Sequence, residues 1–249
     1  MKTKILLLFL NMTLLFLSFH PLKAFAQPEL ASNPYPARLT LNQISTLSNS
    51  TNWFDRWRAA NSVIDAIDFD TTTAVSTIVT GIANELNDPV NPTFADLGLG
   101  IIPGMDDIIR KYLDNLSILG PNILSMIIEH QNLNNPSLNI WLIIARGMLK
   151  DESIKDSLEV IARVNLNPNI RSLAIRAISN FKDVNDLSIF KESLKDTSYF
   201  SITEDFSVDG NGLLRRRYYP VRIEAINGLK KLGYKVLPDS VGGYNIEKR

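Results

Sequence analysis

Four short segments of this chain share one pattern of side-chain sizes at helical spacing. In each, mostly small residues stand three and six steps after the first residue, and a large apolar residue follows. Because these positions share one face of an α-helix, the pattern predicts a narrow face against which a neighbouring helix packs closely. Recurrence of such a helix predicts an α-solenoid of helix pairs. The segments are Arg56-x-x-Ala59-x-x-Ser62-Val63, Trp141-x-x-Ile144-x-x-Gly147-Met148, Arg171-x-x-Ala174-x-x-Ala177-Ile178 and Arg222-x-x-Ala225-x-x-Gly228-Leu229.

The spacing of these segments predicts a repeat of about 30 residues. Trp141 and Arg171 are 30 positions apart, and Arg171 and Arg222 are 51 apart, which leaves an insertion of 21 residues. The 85 positions between Arg56 and Trp141 fit neither two nor three units, so we expect an irregular stretch, assigned to 88–107. We predict an all-α single domain over 38–249. Its helices are expected at about 38–48, 53–68, 71–87, 104–117, 121–132, 137–149, 152–164, 168–181, 184–195 and 219–232.

The two later arginine segments resemble HEAT-like helical repeats of the type first associated with phycobilisome lyases. That pattern has a valine–arginine pair, then small positions, then a leucine; Ile170 and Val221 stand at the valine position here. The resemblance implies an α-solenoid and implies no particular activity, because a shared fold does not transfer function. We expect the recurring arginines to bind turn Asn and Asp side chains of neighbouring repeats, a structural role. The structural repeat residues are Arg56, Arg171, Arg222, Ala174, Ala177 and Ala225.

The N-terminus has the pattern of a bacterial secretory signal peptide. Lys2 and Lys4 precede an apolar run over 5–19, and Ala24-Phe25-Ala26 supplies small residues for cleavage. The run is too short for a membrane span, which needs about 20 apolar residues. We therefore expect a signal peptide over 1–26, a proline-containing flexible lead-in over 27–37, and export to the periplasm or the medium. The chain has no cysteine, which excludes disulfides and cysteine nucleophiles.

The 21-residue insertion differs in character from the helical segments. Aromatic and β-branched residues begin it, and Asp209-Gly210-Asn211-Gly212 is a strong hairpin-turn signal. We predict a β-hairpin insertion over about 197–218, with strands over 199–208 and 213–218, and a second small hairpin near the C-terminus that closes the end of the array. The charged residues either prevent strands from pairing edge to edge or bind a partner. The candidate binding residues are Tyr199, Phe200, Phe206, Arg215, Arg216, Arg217 and Tyr218.

Candidates for catalysis are few, and each has a simpler explanation. His130 follows Glu129, but adjacent helical residues do not share a face. Asp106 and Asp107 begin a predicted helix, where acidic residues complement the helix dipole. Trp53 and Trp57 share a helix face and either cover the end of the core or form an aromatic platform for a ligand. We predict no catalytic residue, no cofactor and no metal site.

The balance of charged residues limits the kinds of partner that the chain is expected to bind. The 26 basic and 26 acidic residues balance, which is unlike a nucleic-acid-binding protein. The leading hypothesis is an exported protein-interaction or scaffold module that binds another protein. One alternative is an envelope enzyme or accessory factor that acts on a polymer through acids of 88–107. Another is a polyanion- or carbohydrate-binding module that uses Arg215 to Tyr219.

The signal-peptide hypothesis predicts where the exported protein begins. Because the small residues Ala24 and Ala26 follow the apolar run, cleavage after Ala26 should leave Gln27 as the first residue. Intact-mass measurement of protein from the envelope fraction or the medium checks this. A mature species that retains residues 1–26 would contradict it.

Overall fold

Ten α-helices and two antiparallel hairpins make up the part of the chain that the computed structural model describes, residues 38–87, 105–131, 134–205, 213–240 and 242–248. Leu39–Arg249 forms one compact unit. The helices are α1 Leu41–Ser48, α2 Trp53–Ser62, α3 Thr71–Asn87, α4 Met105–Leu119, α5 Leu124–Glu129, α6 Pro136–Met148, α7 Lys155–Val164, α8 Pro168–Phe181, α9 Leu187–Ser193 and α10 Pro220–Lys231. The strands are β1 Phe200–Asp205, β2 Leu213–Tyr218, β3 Tyr234–Pro238 and β4 Tyr244–Lys248.

The helical prediction is confirmed, with local corrections at helix ends. The helix expected over 53–68 ends at Ser62 and continues as a single 3₁₀ turn, Val63–Asp65. Short 3₁₀ turns also precede α5, α7 and α9. Met105 begins α4, so residues 105–107 are helical rather than irregular. The remainder of the expected irregular stretch, 88–104, lies outside the described residues.

Asparagine side chains begin three of the even-numbered helices. Asn52, Asn135 and Asn167 precede α2, α6 and α8, and each side chain accepts a hydrogen bond from a main-chain N–H of the first turn. This bond satisfies a donor that the helix itself leaves without an acceptor. Proline occupies the first position of α6, α8 and α10, where its missing N–H costs nothing.

The ends of the same helices repeat a second local feature. Lys150 follows α6 with φ 65° and Lys182 follows α8 with φ 55°, whereas Gly233 takes the corresponding position after α10 with φ 83°. The left-handed conformation costs a non-glycine residue about 1–2 kcal/mol. Asp151 and Asp183 come next, and each caps the 3₁₀ turn that follows. A lysine–aspartate turn therefore recurs at 32-residue spacing.

Helix packing follows the order of the chain. In the even-numbered set, which we call the even row, α2 packs on α4, α4 on α6, α6 on α8 and α8 on α10. Among odd-numbered helices, α1 packs on α3 and α3 on α5. Helix α7 packs against both α6 and α8, and α9 packs against α10. Each of these pairs is near in sequence.

Small residues permit the close approach of helices that the size pattern predicts. A Cβ on Gly147 would lie 2.4 Å from Leu158 Cδ1 and 3.0 Å from the Cβ of Ala177. A Cβ on Gly228 would lie 2.6 Å from Cε1 of Phe190. The alanines of the pattern, Ala174, Ala177 and Ala225, are fully buried.

A buried polar cluster lies among α2, α3 and α4. Arg56 and Glu85 are 2% and 1% exposed, and Arg56 Nε lies 2.5 Å from Glu85 Oε1. Asn115 Nδ2 donates to the carbonyl of Ala60 at 2.7 Å. Burial raises the pKa of the neighbouring Tyr112, and the charge of Glu85 raises it further. Loss of one partner of a buried ion pair costs about 3–5 kcal/mol, so this cluster strongly favours one arrangement of the three helices.

Both hairpins are antiparallel. In the predicted insertion, Phe200 lies opposite Tyr218 and Asp205 opposite Leu213; the turn expected over 209–212 is outside the described residues. In the C-terminal hairpin, Tyr234 lies opposite Lys248. Strand β3 packs on α10, and alternate residues of this hairpin contact the core. The C-terminal hairpin therefore covers apolar surface at the end of the helices.

Because Gly228 lies against Phe190, replacing this glycine with alanine should lower the free energy of unfolding, which is the opposite of the usual effect in a helix. Alanine ordinarily favours a helix over glycine by about 1 kcal/mol. In Gly228→Ala the overlap with the ring should reverse this and lower the free energy of unfolding by about 1–3 kcal/mol. Urea denaturation measures the change. Ser157→Ala at an exposed position of α7 is the control and should not destabilise the protein. A more stable Gly228→Ala protein would show that the two helices do not meet there.

Candidate functional site

Asp196, between α9 and β1, joins two helices of the even row. Arg171 Nε and Nη2 donate to Asp196 Oδ2 at 3.0 and 2.8 Å, and Nη2 also donates to Ser198 Oγ at 2.7 Å. Arg222 Nε donates to the main-chain carbonyl of Asp196. One residue thus connects α8, α10 and the chain that leads into the hairpin.

The same arginine continues into a stack of aromatic and basic side chains. The Arg222 guanidinium lies 4.4 Å from the ring centre of Tyr219. The rings of Tyr219 and Tyr199 have centroids 5.6 Å apart and planes inclined at 51°. The guanidinium of Arg217 lies 4.8 Å from the Tyr199 ring centre. These four residues, which we call the hairpin base, fix the start of β1 and the end of β2 to α10.

Interactions in the hairpin base stabilise the charged form of Arg217. A hydrogen bond with Tyr219 raises the pKa of Arg217, and charge interactions with Tyr199 and Tyr219 raise it further. Tyr199 is 44% exposed, and Phe200 and Arg217 are exposed as well. Arg171, by contrast, is buried. The site therefore has an exposed aromatic and cationic surface above an anchored interior.

Six of the seven residues predicted for binding lie in the described part of the chain. Tyr199 and Arg217 meet in the hairpin base, and Phe200 and Tyr218 are opposite each other on the two strands. Arg215 and Arg216 are in β2, with their Cα atoms opposite those of Thr203 and Ile202. Phe206 lies outside the described residues.

Sequence reasoning missed part of this arrangement. Arg171 binds the side chain of Asp196, as expected for the recurring arginines, whereas Arg222 binds the main-chain carbonyl of that residue and Arg56 pairs with Glu85 of α3. The sequence did not indicate that Tyr219 would complete the stack or that Ser198 would bind Arg171. A usable signal was present, because a tyrosine stands at the start of the insertion and arginines and tyrosines stand together at its end.

The other candidate residues do not assemble into a reaction centre. Asp106 accepts hydrogen bonds from Asn169 Nδ2 at 2.5 Å and from Asn167 Nδ2 at 3.4 Å, so it ties the start of α4 to that of α8. His130 is the half-buried C-cap of α5. Trp57 packs against the core. Within the described residues, no group of three or more potential ligands is placed to hold a metal ion.

A polar cleft of about 350 Å³ lies between α1 and α3. Both carboxylates in its lining accept hydrogen bonds from main-chain N–H groups. Asp68 Oδ1 accepts from the N–H of Leu41 at 2.7 Å, and Asp70 Oδ2 accepts from the N–H of Thr73 at 2.8 Å. The remaining lining consists mainly of hydroxyl groups and has no cationic residue. We assign no chemistry to this cleft.

Comparison of the chain with protein-family models, curated proteins and solved structures found no match. Within the described residues, no helix combines the length and the apolar character that a bilayer crossing requires. Any assignment of function therefore depends on the geometry of this chain alone.

The contacts of Asp196 predict a measurable coupling. Asp196→Ala removes the carboxylate from the largely buried Arg171 and should lower the free energy of unfolding by about 2 kcal/mol. The double variant with Arg171→Ala should show a coupling energy of about 0.5–3 kcal/mol in urea denaturation. Glu192→Ala is the control, because Glu192 is 61% exposed and pairs with Arg163 at the surface. That change should cost about 1 kcal/mol at most. Additive effects of Arg171→Ala and Asp196→Ala would contradict the proposed bridge.

Proposed function

We propose that this protein is an exported protein-interaction module, an α-solenoid of HEAT-like helix pairs whose β1–β2 hairpin contacts a partner protein. The observation that carries the proposal is the hairpin base. An inserted element is anchored through Tyr219 and Arg222 to the even row, yet it exposes Tyr199, Phe200 and Arg217.

The exposed side chains suit recognition of a protein. Tyrosine, phenylalanine and arginine are enriched at protein interfaces and dominate their binding energy. The stacking with Tyr219 restricts Tyr199 before any partner binds, so less side-chain entropy is lost on association. Because a two-stranded hairpin alone is marginally stable in water, its anchorage to the helices supports a presented rather than a mobile element.

The packing order supports the solenoid part of the proposal. Each even-row helix contacts the next, and asparagine caps and left-handed ends recur on successive helices. Solenoids expose long surfaces, and elements inserted between repeats commonly carry their binding contacts. The proposed location is the periplasm or the medium, after cleavage of residues 1–26.

A loop exchange tests whether the hairpin is the contact surface. Replacing residues 200–217 with a short Gly-Ser linker should leave the helical circular-dichroism signal and the melting temperature close to those of the wild type, because the described residues of this range form strands. Capture of the partner from the native envelope fraction should be lost. The captured protein is identified by mass spectrometry and its binding is then repeated with purified components.

A double point variant separates binding from folding. Tyr199→Ala with Arg217→Ala keeps both strands but removes the exposed stack, and it should weaken binding of the purified partner about tenfold or more. Arg163→Ala, at a partly exposed arginine of α7, is the control and should bind normally. If both hairpin variants fold and bind the same partner with unchanged affinity, the hairpin is not the contact. Preference of the hairpin for a sulfated polysaccharide over the protein would favour the polyanion-binding alternative.

A further inference from the structure

The C-terminal ends of α6, α8 and α10 carry three lysines at one edge of the even row. Helix α8 packs against both of the others. Asn180 Nδ2 donates to the carbonyl of Met148 at 3.4 Å, which ties the end of α8 to that of α6. Lys231 Nζ donates to Ser179 Oγ at 2.9 Å and to Asn180 Oδ1 at 2.8 Å, which ties α10 to the same turn. We call Lys150, Lys182 and Lys231 the lysine edge.

The carboxylates nearest in sequence are engaged elsewhere. Asp151 follows Lys150 but pairs with Arg146 at 2.6 Å. Asp183 follows Lys182 but pairs with Lys155 at 2.5 Å. In the described part of the chain, no carboxylate lies within ion-pair distance of the three lysines of this edge. Lys150 and Lys182 are exposed, and Lys231 has a third Nζ–H donor besides the two that bind Ser179 and Asn180.

The charges at this edge influence one another. Burial is the largest cause that lowers the pKa of Lys231. Glu224 opposes the effect, whereas Arg176, Lys182 and Lys150 each lower that pKa further. Such mutual repulsion disfavours the folded state, and an anionic ligand would relieve it.

Two of the three lysines also occupy a backbone conformation that lysine adopts poorly. Lys150 and Lys182 have φ of 65° and 55°, and the corresponding residue after α10 is Gly233. Glycine would form the same turn without strain. The dipole at a helix C-terminus favours a cation nearby, but it does not require that cation at the strained position. Strain that persists at equivalent positions points to a role for the side chain.

We propose that the lysine edge binds an acidic, extended peptide segment of a protein, whose carboxylates pair with Lys150, Lys182 and Lys231. Packed helices lie about 8–10 Å apart, so a ligand must place negative groups at about that spacing. A peptide in the extended polyproline II conformation has three residues per turn and rises about 3.1 Å per residue, so acidic residues at every third position lie on one face about 9 Å apart and meet this requirement. The balanced overall charge, with 26 basic and 26 acidic residues, favours a moderately charged peptide over nucleic acid. This edge is at the opposite ends of α8 and α10 from Arg171 and Arg222, and the inference does not depend on the hairpin.

The test uses a fluorescently labelled peptide of about twelve residues with glutamate at every third position, and a matched peptide with glutamine instead. Fluorescence anisotropy at low salt should show binding of the glutamate peptide only. Lys150→Gly with Lys182→Gly should weaken that binding about tenfold, because two ion pairs are lost. The glycines relieve backbone strain, so the variant should melt at the same temperature as the wild type or higher.

The control variant is Lys191→Gln with Lys195→Gln, which removes two exposed lysines of the α9 region and the same total charge. It should bind the glutamate peptide within about twofold of the wild type. Absence of peptide binding by the wild type, or equal losses in the two double variants, would overturn the proposal. Tighter binding of a single-stranded oligonucleotide or a heparin fragment would overturn the choice of a peptide. The variant with the hairpin replaced should bind the peptide normally, so failure of this inference and failure of the hairpin proposal are distinguishable.

Discussion

Arginine side chains that bind main-chain carbonyls hold the starts of three even-row helices, α2, α8 and α10, to the chain that precedes them. Arg56 Nη1 donates to the carbonyl of Ser50, and Arg171 Nη1 donates to that of Asn165; each acceptor is six residues before its arginine. Arg222, in α10, donates to the carbonyl of Asp196. A carbonyl that is partly removed from water needs a donor, and these arginines supply one. The same interactions anchor the inserted hairpin, because its first strand begins shortly after Asp196.

Local features of the fold could be predicted from the sequence, and pairings between distant residues could not. Asn167 before Pro168 indicates a helix start because the physical cause lies within a few residues. The pairing of Arg56 with Glu85 joins residues 29 positions apart, and no local pattern selects that glutamate. The left-handed turn at Lys182 was also hidden, because glycine is the usual signal for that conformation. In the candidate site, composition indicated Tyr199 and Arg217, but their stacking on Tyr219 depends on how α10 meets the hairpin.

The two proposed contact surfaces use opposite ends of the same helices. The hairpin base is attached near the start of α10, and the lysine edge includes its last residue, Lys231. Helix α8 has 14 residues, which corresponds to a length of about 21 Å. The close contacts of Ala177 in α8 with Gly147 and of Gly228 in α10 with Phe190 leave little room for these helices to slide. Close packing would thus keep the two surfaces at a nearly constant separation.

The sequential order of packing has a consequence for how the chain acquires its structure. Most helices contact partners one or two elements away, and the inserted hairpin pairs strands that are adjacent in sequence. Contacts of short sequence separation require little loop closure before they contribute, so proteins rich in them fold in microseconds to milliseconds. Arg56 and Glu85, which form the buried ion pair, lie in the neighbouring helices α2 and α3. A growing chain can therefore bury this ion pair once α2, α3 and α4 are present, before the C-terminal helices are available.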